Sequence, residues 1–319
     1  MYIDTIQIEG AYAPSFHKDN KVSVDDFLRS VKVSAYSIIN KSLRFNGFCP
    51  TMTESLFSGK MTRSKLAYSL GLSAGQPIER LINIACSMEL LHEASLVHDD
   101  IQDKQTTRRG KPTIWKKYSI NEAISWGDFL LSLSLDPFLQ SGTITDIKHH
   151  NKVIQLMLEG QNLEQTSKNK KINKDDYFNI IKLKTGSLLE LPIHLLISSA
   201  SEEKTLLLEA MKSLGIAYQV KNDLVDFSRG KSSIDFKNKI STLPFLELYK
   251  VRTTKNSNYL FKDVFLDDIT QQEFLDIKQK INPIIEKHTK YFIYIFKRNL
   301  SKDCFDILRK SFEIYFKRN

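Results

Sequence analysis

Three aspartates, Asp99, Asp100 and Asp103, close the run Leu90-Leu-His-Glu-Ala-Ser-Leu-Val-His-Asp-Asp-Ile-Gln-Asp103. On a helix, Asp99 and Asp103 stand one turn apart and about 40° apart around the axis. Like charges so placed cost about 0.2–0.5 kcal/mol, and a helix C-terminus disfavours anions further. A divalent cation offsets these terms, and oxygen ligands with room for water and phosphate suit Mg²⁺. The competing reading is a solvated acidic helix end. Arg108-Arg-Gly-Lys-Pro-Thr113 follows directly, in a segment that Gly110 and Pro112 force out of helix. Guanidinium groups grip phosphate oxygens in pairs. Acids that hold a metal, followed by arginines that hold phosphate, make a diphosphate site.

The elements that must position these groups are helices. The 319 residues include only 12 Gly and 8 Pro, and apolar residues recur at three- and four-residue spacing with little strand-like alternation. The pattern predicts helices over 24–45, 61–74, 76–104, 119–140, 144–168, 173–200, 202–228, 242–253, 270–298 and 301–317. Ser23-Val-Asp-Asp and Ser201-Glu-Glu read as N-caps followed by acids, and Pro77 as a first-turn proline. Helices this long imply an all-α bundle around a central cavity. With no linker or repeat, the expected organisation is an irregular segment 1–22 and one domain over 23–319. The segment 227–241 also reads as irregular.

Composition narrows the function classes. The net charge of +9 suits an anionic partner. No basic run interleaved with aromatics appears, so nucleic-acid binding is not expected. Cys49, Cys86 and Cys304 are too dispersed for a disulfide framework or a zinc site. The N-terminus lacks a basic-then-apolar leader pattern, and no apolar run reaches the ~18 residues of a membrane span. The expectation is a cytoplasmic protein without a transmembrane segment.

Residues His92 to Thr113 resemble the first aspartate-rich region of the trans-isoprenyl diphosphate synthases, the polyprenyl synthetase family. The likeness continues at Gly127-Asp-Phe-Leu-Leu131, Glu159-Gly-Gln161, Lys184-Thr-Gly-Ser187, Gly215-Ile-Ala-Tyr-Gln-Val-Lys-Asn-Asp-Leu-Val-Asp226 and Ser241-Thr-Leu-Pro244. The ordered set covers roughly residues 55 to 250.

The resemblance implies an isoprenoid-synthase bundle, usually a homodimer. It would be a transferase that ionises an allylic prenyl diphosphate and condenses it with isopentenyl diphosphate. A first motif at Asp99, Asp100 and Asp103 would face a second at Asn222, Asp223 and Asp226. The implied metal ligands are Asp99, Asp103, Asn222 and Asp226, holding three Mg²⁺ ions. Asp99, Asp100, Asp103, Lys184 and Asp223 form the implied catalytic set. Arg108, Lys184, Thr185 and Gln219 would hold the allylic diphosphate; Lys60, Arg63, His92 and Arg109 would hold isopentenyl diphosphate. Taken without the family, Lys60 and Arg63 read as solvated charges and His92 as a core histidine. Gln219 alone reads as a helix–helix hydrogen bonder.

Ala94 and Ser95, five and four positions before Asp99, are implied chain-length residues. Their small size points to a product of twenty carbons or more, with Leu91 and Met88 as the next floor.

The sequence departs from the family pattern at three places. Asn222 replaces the usual Asp and Met61 a usual Arg. The Gly-Lys before Thr-Leu-Pro is missing, with Lys231, Lys237 and Lys239 as open substitutes. Asn222 admits a terpene cyclase acting on an allylic diphosphate alone, or a non-catalytic subunit of a heteromeric synthase. Keeping Lys60, Arg63, His92 and Arg109 together favours the condensing enzyme.

Overall fold

The computed structural model describes residues 22–43, 47–197 and 202–312. The segment 1–21, the expected helix ends at 44–45, 198–200 and 313–317, and the Ser201 cap lie outside them.

The described chain is helical apart from one two-residue strand pair. In order the helices are α1 (Val24–Ser42), α2 (Thr62–Ser73), α3 (Ile78–Gln102), α4 (Ile114–Lys117), α5 (Ile120–Leu133), α6 (Asp136–Ser141), α7 (Ile144–Ser167), α8 (Lys174–Ile181), α9 (Ser187–Leu196), α10 (Glu202–Phe227), α11 (Ile234–Asn238), α12 (Leu243–Lys255), α13 (Gln271–Asn299) and α14 (Lys302–Ser311). Strands β1 (Thr107–Arg108) and β2 (Lys111–Pro112) pair antiparallel. Arg109 and Gly110 between them both have positive φ, 52° and 78°, the two-residue turn whose twist suits a tight hairpin.

Several ends follow the residue chemistry. The Ser23 side chain accepts from Asp26 N–H and starts α1. Thr143 with Asp146, and Asn173 with Asp176, form reciprocal caps on α7 and α8. Pro77 caps α3 from outside, with extended backbone. Two expected helices are subdivided. The span 119–140 breaks at Ser134–Leu135 into α5 and α6, where Pro137 restarts the helix. The span 173–200 carries a π-helical turn over Lys182–Gly186 between α8 and α9. The irregular 227–241 holds a 3₁₀ turn at Gly230–Ser232 and the short α11.

Two helices form the frame. Helix α3 packs against α1, α2, α5 and α6; α10 packs against α13, α9, α12 and the π turn. Leu81, Met88 and Leu90 of α3 are fully buried in one apolar cluster that also takes Leu207, Met211 and Leu214 of α10. The later half of α10, with Val220 and Phe227, enters a second cluster with α12 and α13. Each such side chain contributes about 1.5–3 kcal/mol by leaving water. At one end of the bundle Arg80 grips both oxygens of Asp146 at 3.0 and 3.1 Å and donates to the carbonyl of Leu195 at 3.0 Å. This ties the starts of α3 and α7 to the end of α9. The opposite ends of these helices carry the acids.

Candidate active site

The C-terminal ends of α3 and α10 bring the two acidic motifs to one end of the bundle. Between them stands Lys184, on the π turn. Gly160 of α7 allows this: a Cβ there would lie 2.4 Å from the backbone N of Lys184. A Cβ on Gly215 of α10 would lie 3.5 Å from the Cα of Gly186, an ordinary van der Waals contact. Such π bulges insert one residue and re-aim its neighbours. The Lys184 ammonium donates to Glu164 Oε2 at 2.6 Å and lies 3.8 Å from Asp99 Oδ1. Burial alone would lower its pKa, but Glu164 and Asp99 outweigh that and hold it above the ordinary range.

Each acid has a distinct setting. Asp100 is taken by Arg108, whose Nε donates at 2.9 and 3.1 Å and whose Nη2 donates at 2.6 Å. Asp103 has an Oδ1 without a hydrogen-bond partner, with the Lys168 ammonium 3.6 Å away. Asp223 is buried and accepts from Tyr177 Oη at 2.6 Å and Gln219 Nε2 at 2.7 Å. Asp226 accepts from the Asp235 backbone N–H at 2.9 Å. Burial pushes Asp103 up to about 6 and Asp223 up to about 7, with Glu164 adding to both. Asp235 is raised well above the carboxylate range by burial, then by Asp223 and Asp226. Too many carboxylates share this end for all to ionise without compensating cations.

Among the described residues no three His, Cys, Asp or Glu side chains converge to cage a metal unaided. Mg²⁺ is usually held by one or two carboxylates, with water and phosphate completing its shell. The Asp103 Oδ1, which accepts no hydrogen bond and faces the Lys168 ammonium at 3.6 Å, and the crowded acids fit that arrangement.

Two cavities meet beside these groups. The one beside Asp99, about 270 Å³, is lined by Asp99, Lys184, Gln219, Asn222, Ser95 and Met157 among others. The basic one, about 470 Å³, is lined by Lys60, Arg63, His92, Glu93 and Arg109 among others. Arg63, His92, Thr185 and Tyr218 line both. Arg63 brings an unpartnered buried Nε. Arg109 donates to Ser58 Oγ at 3.0 Å, and its guanidinium occupies the space a Cβ on Gly59 would need. Burial and the nearby Arg63, Arg109 and Arg108 hold His92 neutral, well below its ordinary pKa. Met61, at the usual arginine position, is buried with φ 48°.

Of the site residues read from the sequence, Lys60, Arg63, His92, Ser95, Asp99, Arg109, Lys184, Thr185, Gln219 and Asn222 line these two cavities, whereas Asp100, Asp103, Arg108, Asp223 and Asp226 line neither. Ser95 lines the cavity beside Asp99, whereas Ala94, Leu91 and Met88 are buried in the α3 core and outside that lining. Lys231 pairs with Asp268. Lys231, Lys237 and Lys239 are exposed and line neither cavity. The sequence reading passed over Glu164, Lys168, Tyr177, Glu93 and Asp235. Glu164 lies one helical turn after Gln161 on α7, and only its contact with Lys184 marks it. Asp235 sits where the motif matching failed.

The bundle of long helices, with paired acidic helix ends beside a cavity bearing Arg63 and Arg109, is of the isoprenoid-synthase fold class. The family model for polyprenyl synthetase matches residues 48–281, and the chain belongs to that family. It is 30% identical over 178 residues to the short chain isoprenyl diphosphate synthase of Methanocaldococcus jannaschii, covering 53% of this chain and 54% of that protein. It is 31% identical over 246 residues to heptaprenyl diphosphate synthase component 2 of Bacillus subtilis, covering 73% and 66%. The chain thus spans about half to two thirds of these relatives. In fold it resembles the geranylgeranyl pyrophosphate synthase of Corynebacterium glutamicum, solved with isoprenyl diphosphate and magnesium. That likeness has a TM-score of 0.76 and 17% identity, over 93% of this chain and 100% of that one. No described helix is long and apolar enough to cross a membrane.

Proposed function

We propose that the chain joins isopentenyl diphosphate to an allylic prenyl diphosphate and releases a product of twenty carbons or more. The observation that carries this reading is the pair of adjoining cavities. One borders Asp99, Lys184 and Asn222; the other is basic and borders Lys60, Arg63 and Arg109. An enzyme that cyclises one allylic diphosphate has no use for the second.

In this reading Asp99, Asp103, Asn222 and Asp226 hold Mg²⁺, with three ions as the family expectation. When bound, Mg²⁺ supplies charge neutralisation for the departing diphosphate. Lys184, Thr185 and Gln219 hold the allylic diphosphate, and Arg108 is aligned beside it by Asp100. As the allylic C–O bond breaks, negative charge grows on oxygens that these fixed cations and donors already face. Leu96, Met157 and Leu188 line the same cavity and keep water from the cation. The double bond of isopentenyl diphosphate, held by Lys60, Arg63, His92 and Arg109, forms the new C–C bond. A proton then leaves to the departed diphosphate. Exposed Ile120 and Ile124 of α5, with Ile144 and Leu158 of α7, offer apolar surface for the expected homodimer.

Lys60→Ala, at a residue that lines only the basic cavity, tests the assignment of that cavity. It should raise KM for isopentenyl diphosphate at least tenfold, the order expected for a charged hydrogen bond, with a smaller effect on KM for the allylic substrate. Equal effects on both substrates would remove the division of labour.

A further inference from the structure

We propose that Glu93 is a positioning residue for the basic cavity, setting its affinity for a diphosphate through the loop at 55–60 and through Arg109. The inference rests on the reading of that cavity as a diphosphate site.

Glu93 lies one turn after Glu89 on α3, and the two carboxylates face the chain that brings in Lys60 and Arg63. Glu89 accepts from Ser64 N–H at 3.1 Å and from Ser64 Oγ at 2.7 Å, fixing the start of α2. Glu93 accepts from Phe57 N–H at 3.1 Å. Phe57 has φ 53°, a conformation a bulky side chain seldom adopts without support. The loop that carries Gly59 and Lys60 is thus tied to α3 through Glu93.

Glu93 also forms a wall. Together with Ser58 and Arg109 it lines both the basic cavity and a second cavity of about 180 Å³ behind it, which Asp100 and Arg108 also line. No ion pair joins Glu93 to Arg109, whose Nη1 turns to Ser58 instead. The charged or titratable groups bearing on Glu93 are Arg108 and Arg109 from the hairpin, Glu89 from its own helix and Tyr36 from α1. Burial, only partly offset by the Phe57 N–H and Arg109, raises Glu93 to about 7.

Two consequences follow. An ionised Glu93 competes with an incoming diphosphate for the field of Arg108 and Arg109. The diphosphate in turn repels that charge, so it binds preferentially to protein in which Glu93 is protonated. The sign is that of a carboxyl whose pKa rises on binding: affinity is full below about 7 and falls above it.

The test is calorimetric titration with inorganic diphosphate in metal-free, EDTA-containing buffer from pH 6 to 8.5. Wild type, Glu93→Gln, Glu93→Asp and Arg63→Ala would be compared. Gln keeps an oxygen for Phe57 N–H and removes the titration; Asp keeps the charge and withdraws from Phe57. Thermal unfolding would confirm that each variant is folded. Taking the ratio of wild type to Glu93→Gln cancels the ionisation of the probe. The expected result is a wild-type Kd that weakens relative to Glu93→Gln by up to about tenfold per pH unit above 7. Glu93→Asp should bind more weakly than Glu93→Gln throughout. Parallel pH profiles for wild type and Glu93→Gln would overturn the role of Glu93. Undiminished binding by Arg63→Ala would instead overturn the assignment of the cavity itself, and this inference with it.

Discussion

The carboxylate of Asp100 accepts three hydrogen bonds from Arg108, at 2.6, 2.9 and 3.1 Å. The acids at 99, 100 and 103 therefore do different work. Asp100 fixes a guanidinium across the hairpin, while Asp99 and Asp103 stay with Lys184 and Lys168.

Asp100→Asn should consequently act through Arg108. KM for the allylic diphosphate is expected to rise by roughly tenfold, with kcat changed less. Asp103→Asn should instead lower kcat by about a hundredfold, the size of losing one transition-state contact, and raise the Mg²⁺ concentration needed. Steady-state kinetics at several Mg²⁺ concentrations separates the two. Matching profiles for both variants would contradict the separation.

Ser95 lines the cavity beside Asp99, while its neighbour Ala94 is 1% exposed and packed in the α3 core. Successive residues on a helix point 100° apart, so one small residue borders the cavity and its neighbour borders packing. Ser95→Phe should shorten the product, read by chromatography of the dephosphorylated chains. Ala94→Phe should lower Tm through overpacking, about 1–3 kcal/mol. An unchanged product length from Ser95→Phe would remove Ser95 as the floor.

Far from the site, Arg252 grips Glu273 at 3.0 and 3.2 Å across α12 and α13. Burial would raise Glu273, but the hydrogen bonds from Arg252 and Thr270 outweigh it and hold the carboxyl down at about 2. A depressed carboxyl contributes stability that is present above its ordinary pKa and lost as pH falls toward about 2. Denaturant unfolding should therefore weaken steadily below pH 4.5 in wild type. Arg252→Ala should cost roughly 3 kcal/mol at neutral pH and flatten that acid dependence. An unaltered acid limb would assign it to other carboxyls.

The helical bundle was legible because each long helix keeps a continuous apolar pattern, with a clear start signal at Ser23. The breaks were less so. The π turn at Lys182–Gly186 packs closely against Gly160, a tertiary contact that periodicity does not encode. The residues of the site were legible where two charges fall on one helix, as with Asp99 and Asp103. Partners from different elements were not: Glu164 on α7 meets Lys184, and the backbone of Asp235 meets Asp226, only after folding. The separate fate of Asp100 likewise depends on a hairpin that brings Arg108 back over α3.

The central claim is condensation of two diphosphates at two cavities. It is tested most directly by incubating the purified chain and Mg²⁺ with isopentenyl diphosphate and allylic diphosphates of ten, fifteen and twenty carbons, with parallel reactions that omit isopentenyl diphosphate. The account predicts longer prenyl diphosphates only where both substrates are present. Diphosphate release with a hydrocarbon or alcohol from the allylic substrate alone would contradict it.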